Sequence, residues 1–283
     1  MQILTDPRTL QQTCLRWRAD GQHTVLVPTM GYYHSGHESL ISYARSVGDK
    51  VVVSLFVNPT QFGPGEDLAA YPRDLERDAA LAEANGADIL FTPQPADMFP
   101  AGHATWVEVP SLAGTLCGVS RPTHFRGVCT VVMKLFQLAM PRTAVFGQKD
   151  WQQLAILRRM ARDLNVPVEV VGRPIVRESD GLAMSSRNIY LSTEERAQAP
   201  NIHHGLALGR ALVQGGERDA ATVAEAMRRY WRESLPLAQE DYISIVHPET
   251  LEPLERIADA ALCAVAFRLG KARLIDNMLL AGD

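Results

Sequence analysis

The chain of 283 residues carries 28 lysines and arginines against 32 aspartates and glutamates, a formal net charge of −4 at pH 7. Hydrophobic residues make up 46% and charged residues 21%, a composition that excludes a disordered or fibrous protein as an overall description. Without a basic excess the general surface does not favour nucleic acid, so an anionic ligand must be held by a local cluster.

The cellular location of the protein and the redox state of its cysteines are predicted from three features that the sequence lacks. The four cysteines are scattered and form no CxxC pair, which argues against a disulfide framework or a zinc site. The first residues meet an aspartate and a proline before any apolar run, unlike a signal peptide. No stretch approaches the ~20 apolar residues that span a bilayer. We therefore expect a soluble, cytoplasmic protein.

Apolar runs alternate with helical patterns along the first 174 residues. We predict strands at 25–27, 51–57, 88–91, 144–146 and 168–171. Helices are expected between these strands. Ser35 and Glu38 predict a capping box at the start of the first helix, and Asp150 is the expected N-cap of a later helix. This alternation predicts an α/β domain, residues 1–174, with a parallel sheet that binds ligands beyond the carboxyl ends of its strands.

The pattern changes after residue 174, where helices are followed by strands. A capping box of Ser192 and Glu195 predicts a helix that runs toward residues 215–216, and a second helix covers about 220–233. Short strands follow at 242–246, 262–267 and 273–275. We predict a smaller α+β domain, residues 175–283.

The strongest motif is PTMGYYHSGH, residues 28–37, where the first predicted strand is followed by the first predicted helix. A helix N-terminus presents unpaired N–H groups that suit a phosphate, and His34 and His37 lie on one side of the first turn. Two histidines at this spacing also occur as metal ligands or as ordinary surface residues. The strand–glycine–histidine context favours nucleotide binding.

Four further motifs carry polar side chains that suit a substrate or a phosphate. FVNPTQF places the amides Asn58 and Gln61 after a strand, although Asn-Pro is also a common turn. GQKDWQQ supplies Lys149, a charge for a phosphate, and the amide Gln153, although the same residues also suit a capped helix with a solvated lysine. MSSRN, residues 184–188, can wrap phosphates or be a plain turn. RPTHFRG, residues 121–127, is either part of an anion cluster or a solvated helix start.

In this order, PTMGYYHSGH, FVNPTQF, RPTHFRGV, GQKDWQQL, DGLAMSSRNIYL and RLGKARLIDN resemble the pantoate–β-alanine ligase family, over about residues 25–277. The resemblance implies a Rossmann-like domain of the HIGH nucleotidyltransferase superfamily, a C-terminal lid domain and a homodimer. It implies that (R)-pantoate and β-alanine are joined through a pantoyl adenylate, with ATP cleaved to AMP and diphosphate.

The resemblance also implies roles for individual residues. His37, His34 and Lys149 would be catalytic, and Gln61, Gln153 and Asn58 would bind substrate. Mg²⁺ would accompany ATP. Independently of the resemblance, Asp74 and Asp78, on a helix predicted after residues 71–73, could help to hold magnesium, Asp78 being the candidate ligand, although a solvated acidic helix face explains both residues as well. The ATP site would comprise Met30, Gly31, Tyr32, Tyr33, His34, Ser35, Gly36, His37, Gly147, Gln148, Lys149, Asp150, Val176, Met184, Ser185, Ser186 and Arg187.

Three residues depart from the usual family pattern. Gln148 stands where glutamate is usual, and Tyr32 and Tyr33 replace smaller or less aromatic residues. None of these changes removes a group that the mechanism needs.

Two other functions stay open: another HIGH-type adenylyl or cytidylyl transferase, or a nucleotide-binding regulatory protein that has lost catalysis.

Overall fold

The computed structural model describes residues 1–282, which fall into two compact units. The first unit comprises Met1–Gly114, Gly118–Gln148 and Ile156–Pro174. The second comprises Thr115–Cys117, Lys149–Ala155 and residues 175–282. Two short segments that precede residue 175 in sequence thus group with the second unit. The domain boundary at residues 174 and 175 stays a prediction.

The first unit alternates strands and helices along the chain. Its strands are β1 (Gln2–Leu4), β2 (Thr24–Thr29), β3 (Lys50–Leu55), β4 (Ile89–Phe91), β5 (Thr143–Gly147) and β6 (Glu169–Arg173). The helices before residue 175 are α1 (Pro7–Ala19), α2 (Ser35–Val47), α3 (Leu75–Ala84), α4 (Pro95–Met98), α5 (Pro110–Ala113), α6 (Cys117–Ser120), α7 (His124–Ala139) and α8 (Trp151–Asp163). The first residue of α6 and the first five of α8 group with the second unit. A 3₁₀ turn, Pro59–Gln61, follows β3, and another, Gln148–Asp150, precedes α8.

The six strands form one parallel sheet in the order β1-β4-β3-β2-β5-β6. The chain moves outward from β2 through β3 to β4, and then restarts on the other side of β2 with β5 and β6. The strand order therefore reverses between β2 and β5, and their carboxyl ends, Thr29 and Gly147, flank the position where such sheets hold ligands. The predicted α/β fold is confirmed.

The central strands are buried on both faces, which explains their continuous apolar sequence. Val25, Val27, Val51 and Val53 are fully buried and pack with the apolar face of α2. Helix α7 is also largely buried, with ten of its sixteen residues in the interior, which explains its apolar sequence. Parallel strands covered by helices lose both faces to the core and need apolar residues throughout.

The second unit packs helices against a small antiparallel sheet. Its helices are α9 (Thr193–Gln198), α10 (Asn201–Gln214) and α11 (Ala220–Ser234), after a 3₁₀ turn, Ser186–Tyr190. Its strands are β7 (Ala238–Val246), β8 (Ala261–Leu269) and β9 (Ala272–Ala281), in that order in the sheet. The ring of Trp231 on α11 meets Phe267 of β8 edge-on at 5.1 Å between centroids. The predicted α+β character of this region is confirmed.

Local predictions differ from the structure at the helices α9 and α10, at the ends of several strands and at the cap of α2. One helix was expected from residue 193 toward 215, but Pro200 separates α9 from α10, since a proline has no N–H to continue the helix. Strand β9 is much longer than the predicted 273–275, because it pairs with β8 along its whole length. The predicted capping box of Ser35 and Glu38 is wrong: His34 is the N-cap of α2 and His37 completes the box.

The predicted capping box of α9 is confirmed. The Glu195 amide donates to Ser192 Oγ at 3.2 Å, and the Ser192 amide donates to Glu195 Oε2 at 2.9 Å. We expect Ser192→Ala to lower the free energy of unfolding by about 1 kcal/mol, because it leaves an amide of the first turn unpaired. Urea denaturation measures this change, with Thr193→Ala as the neighbouring control. Equal stability of the two variants would contradict the assignment.

Candidate functional site

The loop between β2 and α2 carries the two histidines at the carboxyl edge of the sheet. Both side chains are half-buried, and their rings lie 4.1 Å apart between centroids with a tilt of 36°. His34 is extended, with φ −137° and ψ 174°, and is the N-cap of α2. The histidines therefore belong to a helix N-terminus and not to the apolar interior, as the sequence predicted.

Both imidazoles are oriented by backbone amides. Gly36 N donates to His34 Nδ1 at 3.2 Å, and His34 N donates to His37 Nδ1 at 3.4 Å. A neutral imidazole that accepts at Nδ1 carries its proton on Nε2. As a neutral imidazole each ring therefore presents an Nε2–H donor, which can hydrogen-bond to a phosphoryl oxygen.

A buried carboxylate lies against the loop that precedes His34. Asp78 of α3 is 1% exposed, and its oxygens accept from Tyr32 N at 2.5 Å and from Tyr33 N at 2.7 Å. Burial raises the pKa of Asp78, and the hydrogen bonds from the Tyr33 and Tyr32 amides oppose this shift only in part. The alternative of a solvated acidic helix face is therefore wrong for Asp78.

Both oxygens of Asp78 accept backbone amides, so a magnesium ion bound there would share the carboxylate with the loop that precedes His34. Over residues 1–282, no cluster of three or more histidine, cysteine, aspartate or glutamate side chains could hold a metal ion. The metal role of Asp78 stays a prediction.

The amide of Gln61 is held by Asn58 on the 3₁₀ turn after β3. Asn58 Nδ2 donates to Gln61 Oε1 at 3.2 Å and to Gly127 O at 3.1 Å. Asn58 Oδ1 accepts from both the amide and the hydroxyl of Thr60. Asn58 is 1% exposed and uses its full hydrogen-bonding capacity inside the protein, so its contacts position Gln61. Its expected contact with substrate stays a prediction.

The predicted anion cluster at residues 121–127 has a different partner in the structure. Arg121 donates to both carboxylate oxygens of Glu66, at 2.8 and 2.6 Å, and His124 Nδ1 lies 2.8 Å from Gln61 O. Burial raises the pKa of Glu66, but the hydrogen bonds and charge of Arg121 lower it more, so the net shift is downward. Arg121 thus neutralises an internal carboxylate, and with His124 it fixes the backbone of Gln61.

Lys149 and Gln153 belong to the second unit. The backbone carbonyl of Lys149, in the 3₁₀ turn before α8, accepts from Asn277 Nδ2 at 2.9 Å. Gln153, in the first turn of α8, is half-buried. Gly147 and Gln148 are half-buried at the end of β5 in the first unit, and Asp150 is exposed. The roles predicted for these residues stay predictions.

The segment of Val176, Met184 and the Ser-Ser-Arg turn is a hairpin-like loop of the second unit. Met184 N donates to Val176 O at 3.0 Å, and Ser185 Oγ accepts from Arg187 N at 3.3 Å at the start of the turn. Ser186 is buried. These local hydrogen bonds define the conformation of the segment.

A buried ion pair that sequence reasoning missed ties this loop to β9. Arg177 donates to both oxygens of Asp276, at 2.6 and 2.9 Å, and the Asp276 side chain is 3% exposed. Arg196 holds the same loop from α9, through Glu178 and Asp180. An Asp-Asn pair inside a strand that is apolar apart from Arg273 was the available signal for Asp276 and Asn277.

Across residues 1–282, every helix is too short or too polar to cross a bilayer. All four cysteines are free and buried.

Comparisons with known proteins agree with the fold and the motifs. A family model described as pantoate–β-alanine ligase matches residues 2–279. The pantothenate synthetase of Nitratidesulfovibrio vulgaris, strain Miyazaki F, is 97% identical over the full length of both chains. That of Oleidesulfovibrio alaskensis is 64% identical over 99% of this chain and 100% of its own.

Solved structures show the same likeness. Pantothenate synthetase from Thermus thermophilus superposes with a TM-score of 0.94 at 47% identity, over 99% of this chain and all of the other. A Francisella tularensis pantoate–β-alanine ligase, complexed with β,γ-ATP and β-alanine, gives a TM-score of 0.79 at 30% identity, over 99% and 98%. The chain belongs to the pantoate–β-alanine ligase family.

Proposed function

We propose that the chain ligates (R)-pantoate to β-alanine with ATP, through a pantoyl-adenylate intermediate, and releases AMP and diphosphate. Membership of the ligase family supports this proposal, as does the Francisella relative that carries an ATP form and β-alanine. The observation that carries it is the pair of imidazoles at the N-terminus of α2, each set as an Nε2–H donor.

The first step activates the carboxylate, whose oxygen is otherwise a poor leaving group. A carboxylate oxygen of pantoate attacks the α-phosphorus of ATP, a new P–O bond forms, and the bond to diphosphate breaks. Negative charge grows on the α-phosphate and on the departing diphosphate. The Nε2–H groups of His34 and His37, the positive end of α2 and the Lys149 and Arg187 cations would stabilise that charge.

The second step forms the amide. The amine of β-alanine attacks the acyl carbon of the adenylate, the bond to AMP breaks, and the nitrogen loses a proton. AMP leaves readily because its charge sits on a phosphate. A lid role of the C-terminal domain would protect the adenylate from hydrolysis by water.

The nucleotide pocket would comprise the residues that the resemblance implied, from Met30–His37, Gly147–Asp150, Val176 and Met184–Arg187. Mg²⁺ would enter as the complex with the ATP phosphates, since this ion keeps few protein ligands. We further propose a cytoplasmic homodimer, as the family resemblance implies.

Gln61 and Gln153 would orient pantoate, since an amide can donate to a carboxylate without repelling it. Gln61 Nε2 lies 3.0 Å from Met30 Sδ, a weak acceptor that a substrate oxygen would replace. We expect Gln61→Glu to raise KM for pantoate by about 10-fold or more, because a second carboxylate repels the first.

Steady-state kinetics with pantoate and ATP varied in turn measure the effect of Gln61→Glu. KM for ATP should change much less than KM for pantoate. Gln12→Glu, at an exposed position of α1, is the matched control for the added charge. Equal KM values for pantoate in wild type and Gln61→Glu would contradict the assignment.

The reaction itself is tested by omitting each substrate in turn. The proposal predicts that AMP release needs ATP, pantoate and β-alanine together. Diphosphate release with a phosphate ester as acceptor, without AMP, would identify another HIGH-type nucleotidyltransferase. ATP binding without AMP release under any combination would identify a regulatory protein that has lost catalysis.

A further inference from the structure

The loop between β2 and the N-cap of α2 has an unusual backbone. Gly31 and Tyr32 both have positive φ, at 85° and 53°, a region that residues other than glycine seldom adopt. The following amides, those of Tyr32 and Tyr33, converge on a single carboxylate, that of Asp78. Successive N–H groups in such a loop form a concavity that binds an anion, and here the anion is a side chain of the protein itself.

The carboxylate and the loop fit closely. A Cβ added to Gly31 would lie 2.9 Å from Asp78 Oδ2 and 3.1 Å from the Leu55 side chain, so only glycine fits. The left-handed conformation of Tyr32 costs about 1 kcal/mol or more and persists only where the surroundings hold it. Asp78 supplies that restraint through two charge-assisted hydrogen bonds.

A second residue of α3 holds the same loop. Arg77 donates to Tyr33 O at 2.9 Å, and its guanidinium lies over the Tyr32 ring at 5.2 Å from the centroid. The Tyr33 ring is fully buried, and its centroid lies 5.4 Å from that of His37. Tyr33 directly precedes His34, so the restraint on Tyr33 fixes the position of the N-cap.

We propose that Asp78 is a positioning residue, which clamps the loop from Gly31 to Tyr33 so that His34 and His37 are held as Nε2–H donors. The catalytic consequence rests on the proposed function, whereas the clamp itself does not. The competing role, a magnesium ligand, predicts a different response of the same residue to substitution.

Asp78→Asn separates the two roles. An asparagine offers one acceptor oxygen, and its Nδ2 hydrogens would face the second backbone N–H. In protein labelled with ¹⁵N at histidine, we expect the His34 and His37 signals to shift from the Nε2–H tautomer toward a mixture. His34→Gln and His37→Gln assign those signals. Glu76→Gln, also in the first turn of α3, is the control and should leave both tautomers unchanged.

Activity supplies the second measurement. We expect Asp78→Asn to lower kcat by about 10-fold or more, as small displacements of catalytic groups do, and excess Mg²⁺ should not restore it. Unchanged histidine tautomers, whether activity is kept or is restored by Mg²⁺, would overturn the clamp. If Asp78→Asn shifts the histidine tautomers but the wild-type protein releases no AMP, the clamp is upheld and the proposed function is contradicted.

A weaker variant covers the case in which Asp78→Asn does not fold. Arg77→Gln removes the hydrogen bond to Tyr33 O but leaves Asp78 in place. The tautomer shift and the loss of kcat should have the same direction and smaller size. Histidine signals identical to those of the wild type would overturn the proposal.

Discussion

Replacing His37 with alanine is expected to reduce the rate of pantoyl-adenylate formation by about 100-fold or more, because it removes one hydrogen-bond donor to the developing charge. The same change removes the acceptor for the His34 amide, a bond of 3.4 Å at the start of α2. A capping loss of this kind costs about 1 kcal/mol of stability, which leaves the protein folded. Single-turnover formation of the adenylate measures the chemical step directly.

His37→Gln separates the two consequences of this substitution. Glutamine at the third position of a helix can still accept from the N-cap amide, so the cap is kept while the imidazole is lost. We expect this variant to be as slow as His37→Ala but more stable. His204→Ala, at an exposed position of α10, is the control and should keep full activity. Wild-type single-turnover rates in both His37 variants would refute the role of this residue.

Gly127→Ala is expected to lower the free energy of unfolding by about 3 kcal/mol. A Cβ at this position of α7 would lie 2.4 Å from Thr60 O and 2.7 Å from Gln61 N, which are backbone atoms with little freedom to move. Alanine is otherwise favoured over glycine inside a helix by about 1 kcal/mol. The sign of the measured change therefore shows directly which effect dominates.

The consequence for activity follows from the same contact. Displacing α7 from the 3₁₀ turn would break the bond from Asn58 to Gly127 O and move Gln61. Urea denaturation measures the stability, and KM for pantoate reports the displaced amide. Gly114→Ala is the matched control, since its nearest contact would be Pro110 O at 3.6 Å and its φ is −85°. A Gly127→Ala protein more stable than wild type would contradict the close packing.

The sequence was informative where a local pattern carries the signal. The apolar runs that form β2 to β6 predicted a sheet covered on both faces, and the histidine motif marked the junction of β2 and α2. At that junction the prediction failed only in the identity of the helix cap. Serine at 35 looked like the capping residue, but imidazole Nδ1 accepts an amide as well as a hydroxyl does, and His34 lies one residue earlier.

Contacts between residues far apart in sequence left no local pattern to read. Asp78 lies 46 residues from Tyr32, and its two amide partners depend on how α3 packs beside the loop. Arg177 and Asp276 are 99 residues apart, and either residue alone looks like a surface charge. The strand β1 was also missed. It has three residues, two of them exposed, whereas its equally short partner β4 is fully buried and was predicted from its apolar run.

The formation of an acyl adenylate by the histidine loop is the central claim, and an oxygen isotope tests it most directly. Pantoate labelled with ¹⁸O in its carboxylate is incubated with ATP and β-alanine, and the AMP is analysed by mass spectrometry. Attack of the carboxylate on the α-phosphate predicts one ¹⁸O atom in each AMP molecule. AMP without ¹⁸O, formed together with the amide product, would contradict the adenylate and the role that we assign to His34 and His37.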